Sequence, residues 1–246
     1  MEYQKSDIWE RTGAIGVLSL YSLHENYLDE PEFIKMELLE EMFSEPGLKG
    51  VIIKGSGRHF SAGADIDKLQ QLAKDEALLT RKISAGKKII RFIENLNIPV
   101  IAAISGVCFG GGLEIALACH IRICSENALF AFPETNYGII PGLGGTVMLT
   151  KLIGPGRSAE IILSGEIVNA QRALELKLAD YVVPTKELHS YTIDFLNRMT
   201  ADRDINVIHS VMKSINNSQT LSYEKALEEE TKLFCALAVR NMQDKQ

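Results

Sequence analysis

The chain has 246 residues, of which 46% are hydrophobic, 24% charged and 7% aromatic, with a mean hydropathy of +0.03. This is enough apolar material for a large core and too much for intrinsic disorder, and the length favours one continuous core with an appendage. A formal charge of −6 and a pI near 5.5 speak against a general nucleic-acid or anionic-membrane surface.

From the N-terminus, Met1 to Asp7 lacks the basic-then-apolar pattern of a signal peptide, and glycines interrupt every long uncharged stretch. The expectation is a soluble, cytoplasmic protein with no membrane association. Ala14 to Leu20 is β-compatible, Pro31 to Phe43 has helical spacing, and Val51 to Gly55 reads as a buried strand. The 67–80 stretch reads as irregular. Asp75 to Asn95 places Leu79, Ile83, Ile90 and Ile93 on one side of a helix and Arg81, Lys82, Lys87, Lys88 and Arg91 largely on the other, which predicts a basic outer face. Pro99 opens a strand over Val100 to Ile104. The run Gly110-Gly111-Gly112 then leads into a short buried helix, Leu113 to Cys119. Ile121 to Cys124 and Leu129 to Phe132 read as further strands. Beyond Pro141 the chain turns helical: Thr146 to Leu152, Arg157 to Leu163, Ala170 to Leu176, Leu188 to Met199, Ile205 to Ile215 and Tyr223 to Asn241. The shift near 185–200 divides the chain into an α/β core over 1–190 and a helical subdomain over 191–246.

Charge spacing points to the chemistry. In the 22 residues from Ile98 to Cys119 the sole charged side chain is Glu114, and in the 24 from Asn127 to Thr150 it is Glu134. At 24% charged residues, those 46 positions would hold about eleven charges. Burying an ionised carboxylate costs several kcal/mol unless it is paired, and such groups tend toward raised pKa values and general acid or base work. For either glutamate alone, simple surface exposure competes with this reading. Glycine-rich turns beside both strengthen the catalytic one. Gly110 to Gly112 precede a helix start whose free N–H groups favour a developing anion, and Ser61-Ala62-Gly63-Ala64-Asp65 can supply a second donor. Two such donors make an oxyanion hole.

Cys108, Cys119, Cys124 and Cys235 lie in apolar surroundings without zinc-like pair spacing and read as free buried thiols, so no metal is expected, Cys119-His120 with Cys124 included. There is no phosphate-loop signature and no Gly-x-Ser-x-Gly elbow. Gly142-Leu143-Gly144-Gly145 lacks the βαβ context of a dinucleotide fingerprint and reads as a site wall leading into a helix.

His59 to Ile66, Ile98 to Gly106, Gly110 to Ala116, and Phe132-Pro133-Glu134 followed by Gly138 to Thr146, in this order and spacing, resemble the successive signatures of the enoyl-CoA hydratase/isomerase, or crotonase, superfamily. The resemblance is clear over residues 10–190 and looser in the C-terminal helices. It implies a spiral of repeated ββα units with C-terminal helices that trimerise, often as a hexamer. It implies a thioester oxygen held by the N–H groups of Ala64 and Gly111, water activated by Glu114, and α-carbon proton exchange at Glu134. Ala62, Asp65, Ile66, Gly110 and Gly142 would line the substrate site. The implied activity is hydration of a trans-2-enoyl-CoA without a separate cofactor, coenzyme A being part of the substrate. Dehydratase, isomerase or decarboxylase chemistry, an acyl carrier protein as donor, and a non-enzymatic RNA-binding role for the basic helix stay open. The chain departs from the superfamily at Leu20 to Leu28, where Tyr27 replaces the usual Ala, at His120, where Asp is usual and a local hydrogen-bonding exchange is expected, and at the ending Asp244-Lys245-Gln246.

Overall fold

Strands that are apolar at consecutive positions need cover on both faces of their sheet. The computed structural model describes residues 4–21 and 25–243. Among them the strands are β1 (Trp9–Thr12), β2 (Ile15–Leu20), β3 (Gly50–Gly55), β4 (Val100–Ile104), β5 (Val107–Phe109), β6 (Ile121–Ser125), β7 (Leu129–Ala131), β8 (Val168–Asn169) and β9 (Tyr181–Val183). The helices are α1 (Lys5–Ile8), α2 (Met36–Phe43), α3 (Ile66–Leu72), α4 (Glu76–Glu94), α5 (Gly111–Ala118), α6 (Gly145–Ile153), α7 (Pro155–Ser164), α8 (Ala170–Glu175), α9 (Leu188–Thr200), α10 (Ile205–Thr220) and α11 (Tyr223–Gln243). A large sheet has the order β1-β2-β3-β4-β6-β9, parallel except for the β1–β2 pair, and a small sheet has the order β5-β7-β8. β4 lies in the large sheet, β5 in the small one, and α5 follows; β6 and β7 repeat the alternation. The chain is thus mixed α/β, built on repeated ββα turns.

Side chains alternate across each strand. Leu18, Val51, Ile53, Val100, Ala102 and Ile104 join the main core, while Ile15, Val17, Ile52, Ile101 and Ala103 form a second core on the opposite face. α9 caps that second face with Leu188 and Leu196. A Cβ at Gly50 would lie 2.8 Å from Leu196 Cδ1, so the bare glycine sets how close the helix comes. The expected boundary between residues 190 and 191 falls inside α9. α10 buries Ile208 and Met212, and α11 buries nothing. Among the described residues no helix is long and apolar enough to cross a membrane.

Several expectations change. The 67–80 stretch is two helices broken at 73–75, not irregular: Asp65 caps α3 by accepting from Lys68 N at 3.2 Å, and Asp75 caps α4 by accepting from Leu78 N at 2.9 Å. The helix expected from Pro31 starts only at Met36. Glu30 and Glu32 reach across to Lys82 Nζ at 2.6 and 3.2 Å, and Lys35 is extended. These partly exposed pairs are worth at most about 1 kcal/mol each. Burial of Leu28 and Ile34 in the same segment, about 1.5–3 kcal/mol each, is the stronger force fixing it. The pairing also takes Lys82 out of the basic face, and Arg91 approaches Glu94 at 3.8 Å. Cys235 is exposed on α11, contrary to expectation, whereas Cys108, Cys119 and Cys124 are buried.

Candidate active site

The loop after β3 is held from inside. The buried Asn26 amide donates to the carbonyls of Ser56 at 2.9 Å, His59 at 2.8 Å and Phe60 at 3.4 Å. Ser61 Oγ donates to Asn26 O at 2.7 Å and accepts from Gly63 N at 3.2 Å. An isolated parallel bridge pairs Leu28 with Ala64, using Leu28 N to Gly63 O and Asp65 N to Leu28 O. In such a ladder the alternate N–H groups point to the other side, and none of these bonds uses that of Ala64.

β5 delivers the second donor. Phe109 N donates to Ser61 O and Gly110 N to Ala131 O, and the chain then turns at Gly110, with φ +49°, into α5. Gly111 opens that helix, where first-turn N–H groups have no intrahelical partner. A Cβ on Gly63, φ +88°, would lie 2.7 Å from Phe109 O and 3.5 Å from Gly111 N. Glycine at 63 therefore lets the loop carrying Ala64 lie against the start of α5.

α5 is buried at every position, Glu114 included at 2% exposure. One carboxylate oxygen, Oε1, accepts from Leu143 N at 2.6 Å and Gly145 N at 2.7 Å. Gly144 takes a left-handed φ of +119° as the N-cap of α6, which turns both N–H groups toward Glu114. Burial pushes the Glu114 carboxyl up to about 7, against the pull of the Gly145 and Leu143 N–H groups. Glu134 sits in the 3-10 turn Pro133–Tyr137. Its Oε2 is buried without a hydrogen-bond partner among the described residues. Burial pushes Glu134 up to about 7 as well, its own backbone N–H lowers it, and the charge of Glu114 raises it.

Both carboxyls face a cavity of about 530 Å³. Every residue expected at the site from the sequence lines it: Ala62, Ala64, Asp65, Ile66, Gly110, Gly111, Glu114, Glu134 and Gly142. Leu69, Leu72, Leu79, Ile83 and Leu143 supply apolar wall. The donors that anchor Glu114 are backbone groups, which no residue type announces. Asn26 carried a readable signal, since asparagine is one of the few residues that tolerate φ +56°.

His120 lies away from this cavity and accepts from Val100 N through Nδ1 at 3.0 Å, the expected local exchange. Cys119 Sγ is bonded to Ile115 O, and among the described residues no group of three or more His, Cys, Asp or Glu is arranged to hold a metal ion. Positions 22–24 of the departing loop and the ending at 244–246 lie outside the described residues.

The family model for enoyl-CoA hydratase/isomerase matches residues 23–244. A probable enoyl-CoA hydratase of Bacillus subtilis is 36% identical over 198 residues, spanning 80% of this chain and 76% of that protein. A short-chain-enoyl-CoA hydratase of Clostridium acetobutylicum is 33% identical over 235 residues, 92% of this chain and 87% of that one. Among solved structures, the enoyl-CoA hydratase of Bacillus anthracis superposes with a TM-score of 0.82 at 29% identity, covering 97% of this chain and 96% of its own. With the ββα core, the glycine turns and the two glutamates in their expected order, the chain belongs to the enoyl-CoA hydratase/isomerase family and has the crotonase fold.

Proposed function

We propose that the protein is an enoyl-CoA hydratase, adding water syn across the double bond of a trans-2-enoyl thioester. The observation that carries this reading is the unequal hydrogen bonding of two carboxyls, one buried and one half-buried, over one cavity. Glu114 accepts two backbone N–H bonds, which favour its ionised form. Glu134 has an unpartnered buried oxygen, which favours its protonated form.

The thioester oxygen accepts from Ala64 N–H and Gly111 N–H, so charge arriving on it as the enolate forms meets preset donors. Glu114, anchored through Oε1, takes a proton from water through Oε2 as the water oxygen bonds to the β carbon. Glu134 gives its proton to the α carbon. One proton enters the pair and one leaves, so only exchange with solvent is needed to reset it. No separate cofactor takes part, coenzyme A being the thioester's own carrier. Ala62, Asp65, Ile66, Gly110 and Gly142 shape the walls.

Exposed apolar residues on α11, Phe234 at 70% and Met242 at 72%, support assembly through the C-terminal helices as a trimer or hexamer. In that division residues 1–190 supply the chemistry and 191–246 the assembly. An acyl carrier protein is the alternative donor: at the cavity Asp29 and Glu30 hold Lys68 and Lys82 in ion pairs at 2.6 Å each, which leaves those lysines less available to the phosphates of CoA.

The test is hydration of crotonyl-CoA by the wild type and by Glu114→Gln and Glu134→Gln. Each substitution should lower kcat by a factor of about 100 or more; undiminished turnover in both ends the assignment. Comparison with crotonyl-pantetheine separates the donors, a strong preference for CoA removing the carrier protein.

A further inference from the structure

The cavity holding the glutamates is not the only one on α4. A second, of about 690 Å³, lies farther along the same helix between α5, α6 and α10. Leu79 and Ile83 face the first cavity, and Lys87, Ile90 and Glu94 the second, at the three- and four-residue spacing that keeps one side of a helix. Among the described residues Leu143 alone lines both.

Gly86 occupies the point on α4 between the two sets. A Cβ there would lie 2.6 Å from Leu143 Cδ2 and 2.3 Å from Pro31 O, so the Leu143 side chain rests on bare helix backbone. Its other methyl, Cδ1, is 3.9 Å from where a Cβ on Gly111 would stand. Leu143 is 5% exposed, and its N–H is bonded to Glu114 at 2.6 Å. A carbonyl at Ala64 and Gly111, with its α and β carbons at the two glutamates, therefore sends the rest of an acyl chain toward this side chain.

We propose that Leu143 is the specificity-determining residue for acyl-chain length. Its side chain, seated on Gly86, closes the acyl end of the first cavity, so that the protein takes short acyl thioesters and excludes long ones. Removing the side chain joins the two cavities and gives a long chain the second one to occupy. This inference rests on the hydratase reading for the placement of the thioester.

The experiment measures Kd by calorimetry for butanoyl-CoA and decanoyl-CoA, saturated thioesters whose binding is read without turnover. Wild type is compared with Leu143→Ala and Leu143→Phe, both of which keep the backbone N–H to Glu114. The affinity ratio of decanoyl-CoA to butanoyl-CoA should rise ten-fold or more in Leu143→Ala and fall in Leu143→Phe. Leu143→Val, a smaller truncation, should lie between alanine and wild type and serves if the alanine variant does not fold. A ratio unchanged across the folded variants overturns the role of Leu143 and leaves the hydratase reading standing. A wild type that binds neither thioester overturns both.

Discussion

Gly110 and Glu134 fit one another closely: a Cβ on Gly110 would stand 2.8 Å from Glu134 Oε1. The same glycine has φ +49° and ψ −121°, a conformation strained for any other residue. One backbone position thus seats the Glu134 carboxyl and aims the first N–H of α5.

Gly110→Ala should cost about 1–3 kcal/mol in backbone strain and displace Glu134, lowering crotonyl-CoA turnover by a factor of ten or more. Gly138→Ala is the control: φ is +71° there, but a Cβ would meet nothing within 4 Å. It should lose stability of similar size and keep most of its activity. Urea unfolding and turnover of the two variants check this, and equal activity losses would sink it.

The raised carboxyls destabilise the fold at alkaline pH. A carboxyl at about 7 in the folded protein, against an ordinary 4.5, contributes favourably below pH 4.5, and that contribution is lost as pH rises through 7. Glu134→Gln should therefore gain on wild type between pH 5 and pH 8, by roughly 2 kcal/mol at the upper end. Parallel urea midpoints for both proteins across that range would contradict it.

Two facing carboxyls at about 7 titrate as a pair. The proposed hydration needs one ionised and one protonated, so kcat/KM should follow a bell centred near pH 7. In Glu134→Gln the alkaline limb should disappear from the residual activity. A pH-independent wild-type profile from 5 to 9 would rule out the pair.

Asn26 acts at a distance from the chemistry. Asn26→Ala leaves the carbonyls of Ser56, His59 and Phe60 without their amide donor, and should cost about 2–4 kcal/mol. As a positioning residue for the Ala64 loop it should lower kcat more than it raises KM. A purely structural role would lower the folded fraction and leave kcat per folded molecule unchanged.

Placing a charge on the exposed face of α11 tests the assembly. If the proposed trimer or hexamer forms through α11, Phe234→Glu should convert it to monomer in light scattering. Wild type running as a monomer would remove the trimer and hexamer proposals.

Amino-acid order alone determined the elements with local causes. β2, β3 and β4 were legible because strands buried on both faces carry near-continuous apolar runs, broken here only at Ser19 and Lys54. Glu114 and Glu134 stood out because a lone carboxylate in a long uncharged stretch has an energetic cost that needs a use. The turns at Ala64 and Gly111 were legible because glycine marks close backbone approach. The start of α2 was not, because burial of Leu28 and Ile34, with Lys82 pairing to Glu32 from fifty residues away, holds the preceding segment out of helix. β5 and β8 are three and two residues long, too short for any periodicity. Tertiary structure decided how the two glutamates differ. They are equivalent by residue type, and only the arrival of Leu143 N and Gly145 N, 29 and 31 residues downstream, makes one an anchored acceptor and leaves the other with a bare oxygen. Backbone donors carry no signature in sequence, so folding was needed to bring them there.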